Sequence, residues 1–208
     1  MTDALSLLPA GLALPRLVRR EHTLSSEWTG MLRDGVLLPV TDVVAVTGPE
    51  PPGPSDRARA LGPALPRHGV LGRDSAAWVH TGARPPSRAC VLVPVGVRRP
   101  APRPDRTCAE AALGPTDVML VAGTAVTTPE RTGEDVARWL APQDAVARLV
   151  ELEALGLDLR VVRRRLDALA GRRHVRRAHT VLDVALDRAC RPGRVPEVSA
   201  ARRRDVPP

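Results

Sequence analysis

Between Glu27 and Asp34 the apolar residues Trp28, Met31 and Leu32 fall at helical spacing, and Gly35 follows as a stop. Thr23-Leu-Ser-Ser26 supplies a turn and an N-cap ahead of that helix. Upstream, Pro15-Arg-Leu-Val-Arg-Arg20 reads as a short helical run opened by proline. Downstream, Val36 to Val46 is β-rich on both sides of a turn at Pro39/Thr41-Asp42, the pattern of a hairpin. Helix, turn, helix and wing is the outline of a small DNA-reading module whose second helix enters the major groove.

The pattern then breaks. Gly48-Pro-Glu-Pro-Pro-Gly-Pro54 is a proline-rich stretch and the clearest domain boundary. It predicts a domain over residues 1–50, a linker at 51–55 and a second domain over 56–192. Ser55 to Leu65 reads as a short helix capped by Ser55 and Asp56. A second helix, carrying Ala76, Ala77, Val79 and His80, has Asp74 or Ser75 as its cap. Ala89 to Val97 is apolar almost throughout, as a central strand is. Arg98 to Arg106 is a Pro/Arg loop, and Thr107 to Ala112 adds a strand or turn. Val118–Ala122 and Thr124–Thr127 read as strands flanking Ala122-Gly123, and Pro129 opens a helix with acids near its positive end. The remainder is helical: Pro142–Leu155, an Asp158-capped helix through Ala170, and Arg172–Ala189. Residues 193–208 have little to bury and read as a disordered tail. The expected fold class is α+β: a small N-terminal winged helix-turn-helix, then a larger α/β domain ending in a helical bundle.

Composition changes this picture only in part. All 31 basic residues are arginine, and Lys, Asn, Ile, Phe and Tyr are absent, as a GC-rich coding sequence favours. The absence of Phe and Tyr removes the usual stacking platform for single-stranded nucleic acid. Charge is unevenly placed. Residues 1–50 hold four arginines against six acids, residues 51–158 thirteen against twelve, and residues 159–208 fourteen against five. The net +8 therefore sits at the C-terminal end, where phosphate neutralisation would have to come from. Cys90, Cys108 and Cys190 are odd in number and widely spaced, which suggests buried, reduced thiols in a cytosolic protein. No segment reaches membrane-spanning length, and no signal pattern is visible, so a cytoplasmic location without membrane contact is expected.

The candidate site residues follow from helix geometry. Ser26, Thr29 and Arg33 lie opposite Trp28, Met31 and Leu32, so they face bases or simply solvent. Arg33 could pair bidentately with guanine. Arg163, Arg164 and Arg165 with Arg172, Arg173, Arg176 and Arg177 form the densest basic cluster. Arg172/Arg176 and Arg173/Arg177 are each four apart, on one side of the last predicted helix. Phosphate binding and a solvated face are both open readings there. Arg131, Thr132 and Asp135 share a helical turn and are expected to hydrogen-bond structurally. No nucleophile–base pair is evident, so no catalytic residues are expected. His22, His80, His174 and His179 have no partner at metal-ligand spacing, so neither metal nor cofactor is expected.

Three segments carry a family resemblance. They are the winged-helix segment ending in Leu32-Arg-Asp-Gly-Val-Leu, then Val70-Leu-Gly-Arg-Asp-Ser-Ala-Ala-Trp-Val-His-Thr-Gly82, and Gly123-Thr-Ala-Val-Thr-Thr-Pro-Glu-Arg-Thr-Gly-Glu-Asp-Val-Ala-Arg138. Over roughly residues 14 to 190 the chain resembles the AbiEi-type antitoxins of type IV toxin–antitoxin systems, actinobacterial branch. The resemblance implies a transcriptional regulator whose N-terminal winged helix binds promoter DNA and represses its own operon. It implies a C-terminal domain, residues 55–192 here, that opposes a nucleotidyltransferase-like toxin without a stable toxin complex. Double-stranded DNA is the implied partner. Two departures stand out. The family's wing often ends in Arg, Gly and an aromatic residue, but here it reads Pro39-Val-Thr-Asp-Val-Val-Ala-Val46. Many actinobacterial relatives also continue into an endonuclease-like domain, which is not expected here. The alternative is a non-enzymatic interaction module, the remnant of a nuclease-fused relative, with weak or no DNA binding.

Overall fold

Leu17–Arg19 is extended, not helical, and forms strand β1. It pairs antiparallel with β3, setting Leu17 against Val46, Val18 against Ala45 and Arg19 against Val44. The local pattern of Pro15–Arg20 suits a helix. Pairing with a β-rich hairpin overrides it, because sheet preference is set by neighbours. A single 3-10 turn at Arg20–His22 follows, and then helix α1 at Ser25–Arg33. The first expected helix is thus a strand and one turn. The N-cap of α1 is Leu24, whose backbone N–H donates to Glu27 Oε2 at 3.3 Å. Strands β2 (Leu37–Thr41) and β3 (Val44–Thr47) form the expected hairpin, with a register shift between Pro39 and Thr41. The small sheet has the order β1-β3-β2. Trp28, Leu37 and Ala45 are buried together beneath α1.

The computed structural model describes residues 15–190, so the expected tail at 193–208 lies outside the described residues. After the proline-rich stretch comes α2, Pro54–Leu61. Its N-cap is Gly53, not Ser55. Asp56 sits one turn in and accepts from the Gly53 N–H at 3.0 Å. Strand β4 (Val70–Leu71) runs straight into α3 (Arg73–Thr81), again with glycine, Gly72, as N-cap. A side chain at position 72 would strike Leu92, so the expected caps shift to other work. Ser75 Oγ accepts from the Cys90 N–H at 2.7 Å, and Asp74 pairs with Arg148 at 2.8 Å.

Strands β5 (Ala89–Pro94), β6 (Arg106–Ala111), β7 (Val118–Val121) and β8 (Thr124–Thr127) complete a mixed sheet of order β6-β5-β4-β8-β7. β5 is next to the edge strand β6, and β4 is central. The β5–β6 and β4–β8 pairs are parallel, and the rest are antiparallel. Helices α4 (Pro129–Trp139), α5 (Pro142–Ala154), α6 (Leu159–Asp167) and α7 (Val175–Ala189) form the bundle. Leu149, Leu152, Leu166 and Leu182 pack with Val136 and Val162 at its centre. Gly133 is what allows α4 to cross so closely, since a Cβ there would lie 2.8 Å from Val162. The chain is therefore α+β, with the helical bundle C-terminal to the strands.

A second apolar cluster joins Val40, Val44 and Val46 of the hairpin to Ala58, Leu71, Trp78, Val91 and Val126. The proline-rich stretch is fastened along its length. Arg16 donates to the carbonyls of Thr47 and Glu50 and to Asp56, while Arg57 donates to the Pro52 carbonyl at 2.8 Å. Arg57 also reaches the carbonyls of Val79 and His80, which closes the end of α3. The cysteines are less buried than expected: Cys90 and Cys108 are half-buried and Cys190 is exposed, all as free thiols. No helix among the described residues is long and apolar enough to cross a membrane.

Candidate functional site

Three groups of residues bear on function. The first lies on α1. Trp28 is 4% exposed, while Ser26, Thr29 and Arg33 are exposed on the opposite side, as the helical repeat requires. Thr29 Oγ1 donates to the Ser25 carbonyl at 2.9 Å. The Arg33 Nε donates to Asp34 at 2.9 Å, in an exposed pair. Such a pair is weak in water and leaves most of the guanidinium available. The hairpin turn beside α1 presents Asp42 and the exposed Val43, with no arginine.

The second group is the C-terminal arginines, and the structure separates them. Arg163 is paired with Asp183. Arg177 donates to the Arg138 and Leu140 carbonyls, which ties α7 to the end of α4. Arg164, Arg172, Arg173 and Arg176 are exposed. Arg172 and Arg173 are not on the last helix. His174 sits at φ +65 and breaks the chain from the α7 helix that begins at Val175. The expected i,i+4 alignment of Arg172 with Arg176 and of Arg173 with Arg177 therefore fails. The pattern of the sequence continues through His174, but a left-handed residue does not.

The third group surrounds Arg131. Thr128 caps α4, and Thr132 Oγ1 lies 2.7 Å from Thr127 Oγ1. Arg131 pairs with Asp135 at 3.0 Å and with Asp117 at 2.9 Å, and donates to the Ala112 carbonyl at 2.7 Å. Arg165 reaches in from α6 to Asp117 at 2.7 Å and to Glu134 at 3.0 Å, and Arg138 holds Glu134 at 3.2 Å. Three arginines thus satisfy three acids in a largely buried network. Burial pushes the Asp117 carboxyl up. The Gly114 N–H, Arg165 and Arg131 outweigh it and hold the group below its ordinary range. Arg131, Thr132 and Asp135 do hydrogen-bond structurally. Asp117 and Arg165 were invisible as partners, since 14 to 48 residues separate them from the groups they meet.

Next to this network a cleft of about 290 Å³ opens between the start of α3, the end of β6 and the end of α4. Trp139 forms its wall. Arg73 lies over its ring at 4.7 Å, Arg138 at 5.4 Å, and His174 meets it edge-on at 5.0 Å. Among the described residues, no three His, Cys, Asp or Glu side chains come together as metal ligands. His80 Nε2 faces the Thr127 carbonyl at 2.8 Å, which makes that nitrogen the donor.

The family model of the AbiEi antitoxin C-terminal domain matches residues 57–184, from α2 into α7. A search of curated proteins finds no match. Among solved structures, the crystal structure of the RV2827C protein from Mycobacterium tuberculosis is similar at TM-score 0.42 and 19% identity, covering 82% of this chain and 72% of that one. The matched segment holds α3, the Arg131 network, the cleft and most of the bundle. With a family match across more than half of its residues, the chain belongs to the AbiEi antitoxin family, and its role is that of an antitoxin in a toxin–antitoxin system.

Proposed function

We propose that this antitoxin binds duplex DNA at its own promoter, represses it, and opposes a nucleotidyltransferase-like toxin. The observation that carries the DNA reading is the α1 face, where Ser26, Thr29 and Arg33 stand exposed on a helix anchored by Trp28. β1, a single 3-10 turn, α1 and the β2–β3 hairpin run in the order of a winged helix-turn-helix whose first recognition-motif helix is cut to one turn. In this reading α1 lies in the major groove and selects sequence, while Arg164, Arg172, Arg173 and Arg176 supply phosphate contacts. Arg163 and Arg177 contribute less, being held by Asp183 and by the α4 carbonyls. The acidic balance of residues 1–50 and the Asp42 turn favour a second reading, an interaction module without DNA affinity.

A gel-shift series with duplex from upstream of the chain's own gene separates the two. Arg33→Ala is expected to relax sequence preference at a cost of about 1–3 kcal/mol. The double change Arg172→Gln and Arg176→Gln is expected to weaken binding to every duplex and flatten the salt slope by about one unit per lost contact. If wild-type protein does not discriminate promoter from random duplex, the interaction-module reading replaces this one.

A further inference from the structure

The cleft beside Trp139 has cations to spare. Its acids are already engaged: Asp135 with Arg131, Glu134 with Arg138 and Arg165, and Glu110 with Arg99. Arg131 is fully occupied by Asp117, Asp135 and the Ala112 carbonyl. Arg73 and Arg172 also line the cleft, and among the described residues neither guanidinium has an ion pair or a hydrogen-bond acceptor. The Nε atoms of Arg73 and Arg138 are buried and without a partner. An unmade hydrogen bond at a buried donor is costly, so these guanidinium groups are not fully satisfied by the protein itself. Arg73 is the first residue of α3, held at φ +51 behind an N-cap glycine that provides no capping side chain. The positive end of that helix therefore meets the same cleft. Trp139 packs against both Arg73 and Arg138 without using any of their donors.

We propose that this cleft is a binding site for a phosphate group, held by the guanidinium groups of Arg73 and Arg172. Planar guanidinium forks suit tetrahedral phosphate oxygens, which accept two parallel bonds from each. A neutral ligand would leave the Arg73 and Arg172 charges uncompensated. A cation is repelled by them. The phosphate comes either from a nucleic-acid backbone or from a free phosphorylated small molecule.

The test is calorimetric titration of the full chain with inorganic phosphate, in chloride buffer at constant ionic strength. Saturable binding is expected. Arg73→Gln and Arg172→Gln are each expected to weaken it about tenfold, the order of one charge-assisted hydrogen bond. Arg160→Gln, on an exposed face of α6 outside the cleft, is expected to leave it unchanged. Because Arg73 is half-buried, unfolding curves accompany each variant; Arg172 is exposed and keeps the test valid if Arg73→Gln is unstable. Absence of saturable binding, or equal binding by a folded Arg172→Gln variant, overturns the proposal. Competition then names the source. Displacement of phosphate by short duplex, with duplex affinity lowered in Arg73→Gln, identifies a backbone phosphate. Displacement by a nucleoside monophosphate, with duplex affinity unchanged, identifies a free small molecule. Arg73 lies outside the residues assigned to promoter binding, so failure here and failure of the Arg33 series are separate results.

Discussion

Arg131 is the residue on which the larger unit turns. It is 7% exposed, and it joins α4 to the Pro115–Asp117 turn while Arg165 adds α6 to the same acids. Removing one partner of a buried pair strands the others. Arg131→Met is therefore expected to destabilise the chain by about 3–5 kcal/mol, measured by urea unfolding. A loss under 1 kcal/mol would mean that water reaches Asp117 and Asp135. His80 gives a pH signature at the same scale. Burial lowers its pKa below the ordinary 6.5, against the raising effect of the Thr127 carbonyl. In that window the unfolded state binds more protons, so stability falls as pH drops below about 6.5 and levels off below the folded value. His80→Gln keeps a donor for Thr127 and removes the titration. Its stability is expected to change less than wild type's between pH 7.5 and 5.5, and parallel curves would show that His80 does not carry the effect. The Arg131–Thr132–Asp135 turn was legible in the sequence because its members are three or four residues apart. Asp117 and Arg165 were not, because nothing local connects a 3-10 turn to a helix far along the chain.

At the scale of elements, periodicity located α1, the hairpin, β7, β8 and the bundle helices within a few residues. It failed where tertiary pairing outweighs a short local pattern, as at β1, and where one left-handed residue interrupts a helical pattern, as at His174. At α3 the position of the cap has a steric reason, since a side chain at Gly72 would strike Leu92. Gly72 begins α3, which leaves Asp74 for Arg148 and Ser75 for the Cys90 N–H, while at α2 Gly53 is the N-cap and Asp56 accepts its N–H from the first turn. The proline-rich stretch from Gly48 to Pro54 stands out in composition, but its fastening by Arg16 and Arg57 was not legible there. Those bonds lead to a specific expectation. Limited proteolysis at residues 48–53 should be slow in wild type, and Arg16→Ala should speed it by freeing the Thr47 and Glu50 carbonyls and Asp56. Equal cleavage of both proteins would show that the linker opens independently of Arg16.

For the whole molecule the question is how the proposed DNA reading and antitoxicity divide. The hairpin valines and α2 share one apolar cluster with the larger sheet, so cutting away residues 1–54 would expose Ala58 and Ala60. The division is better tested in the full chain. The exposed large apolar side chains are scattered, among them Leu24, Val43, Val95, Leu120 and Leu155, and two of the three tryptophans are core. Interface hot spots favour clustered Trp, Tyr and Arg, and only arginine is exposed here in number. We therefore expect antitoxicity without a stable toxin complex. Co-expression with a neighbouring nucleotidyltransferase-like toxin should show rescue by wild type and equally by Arg33→Ala, with no toxin recovered on affinity-tagged antitoxin. Rescue lost in Arg33→Ala would place antitoxicity on the α1 face. Toxin retained at one-to-one stoichiometry after washing in high salt would show that this antitoxin works by sequestration.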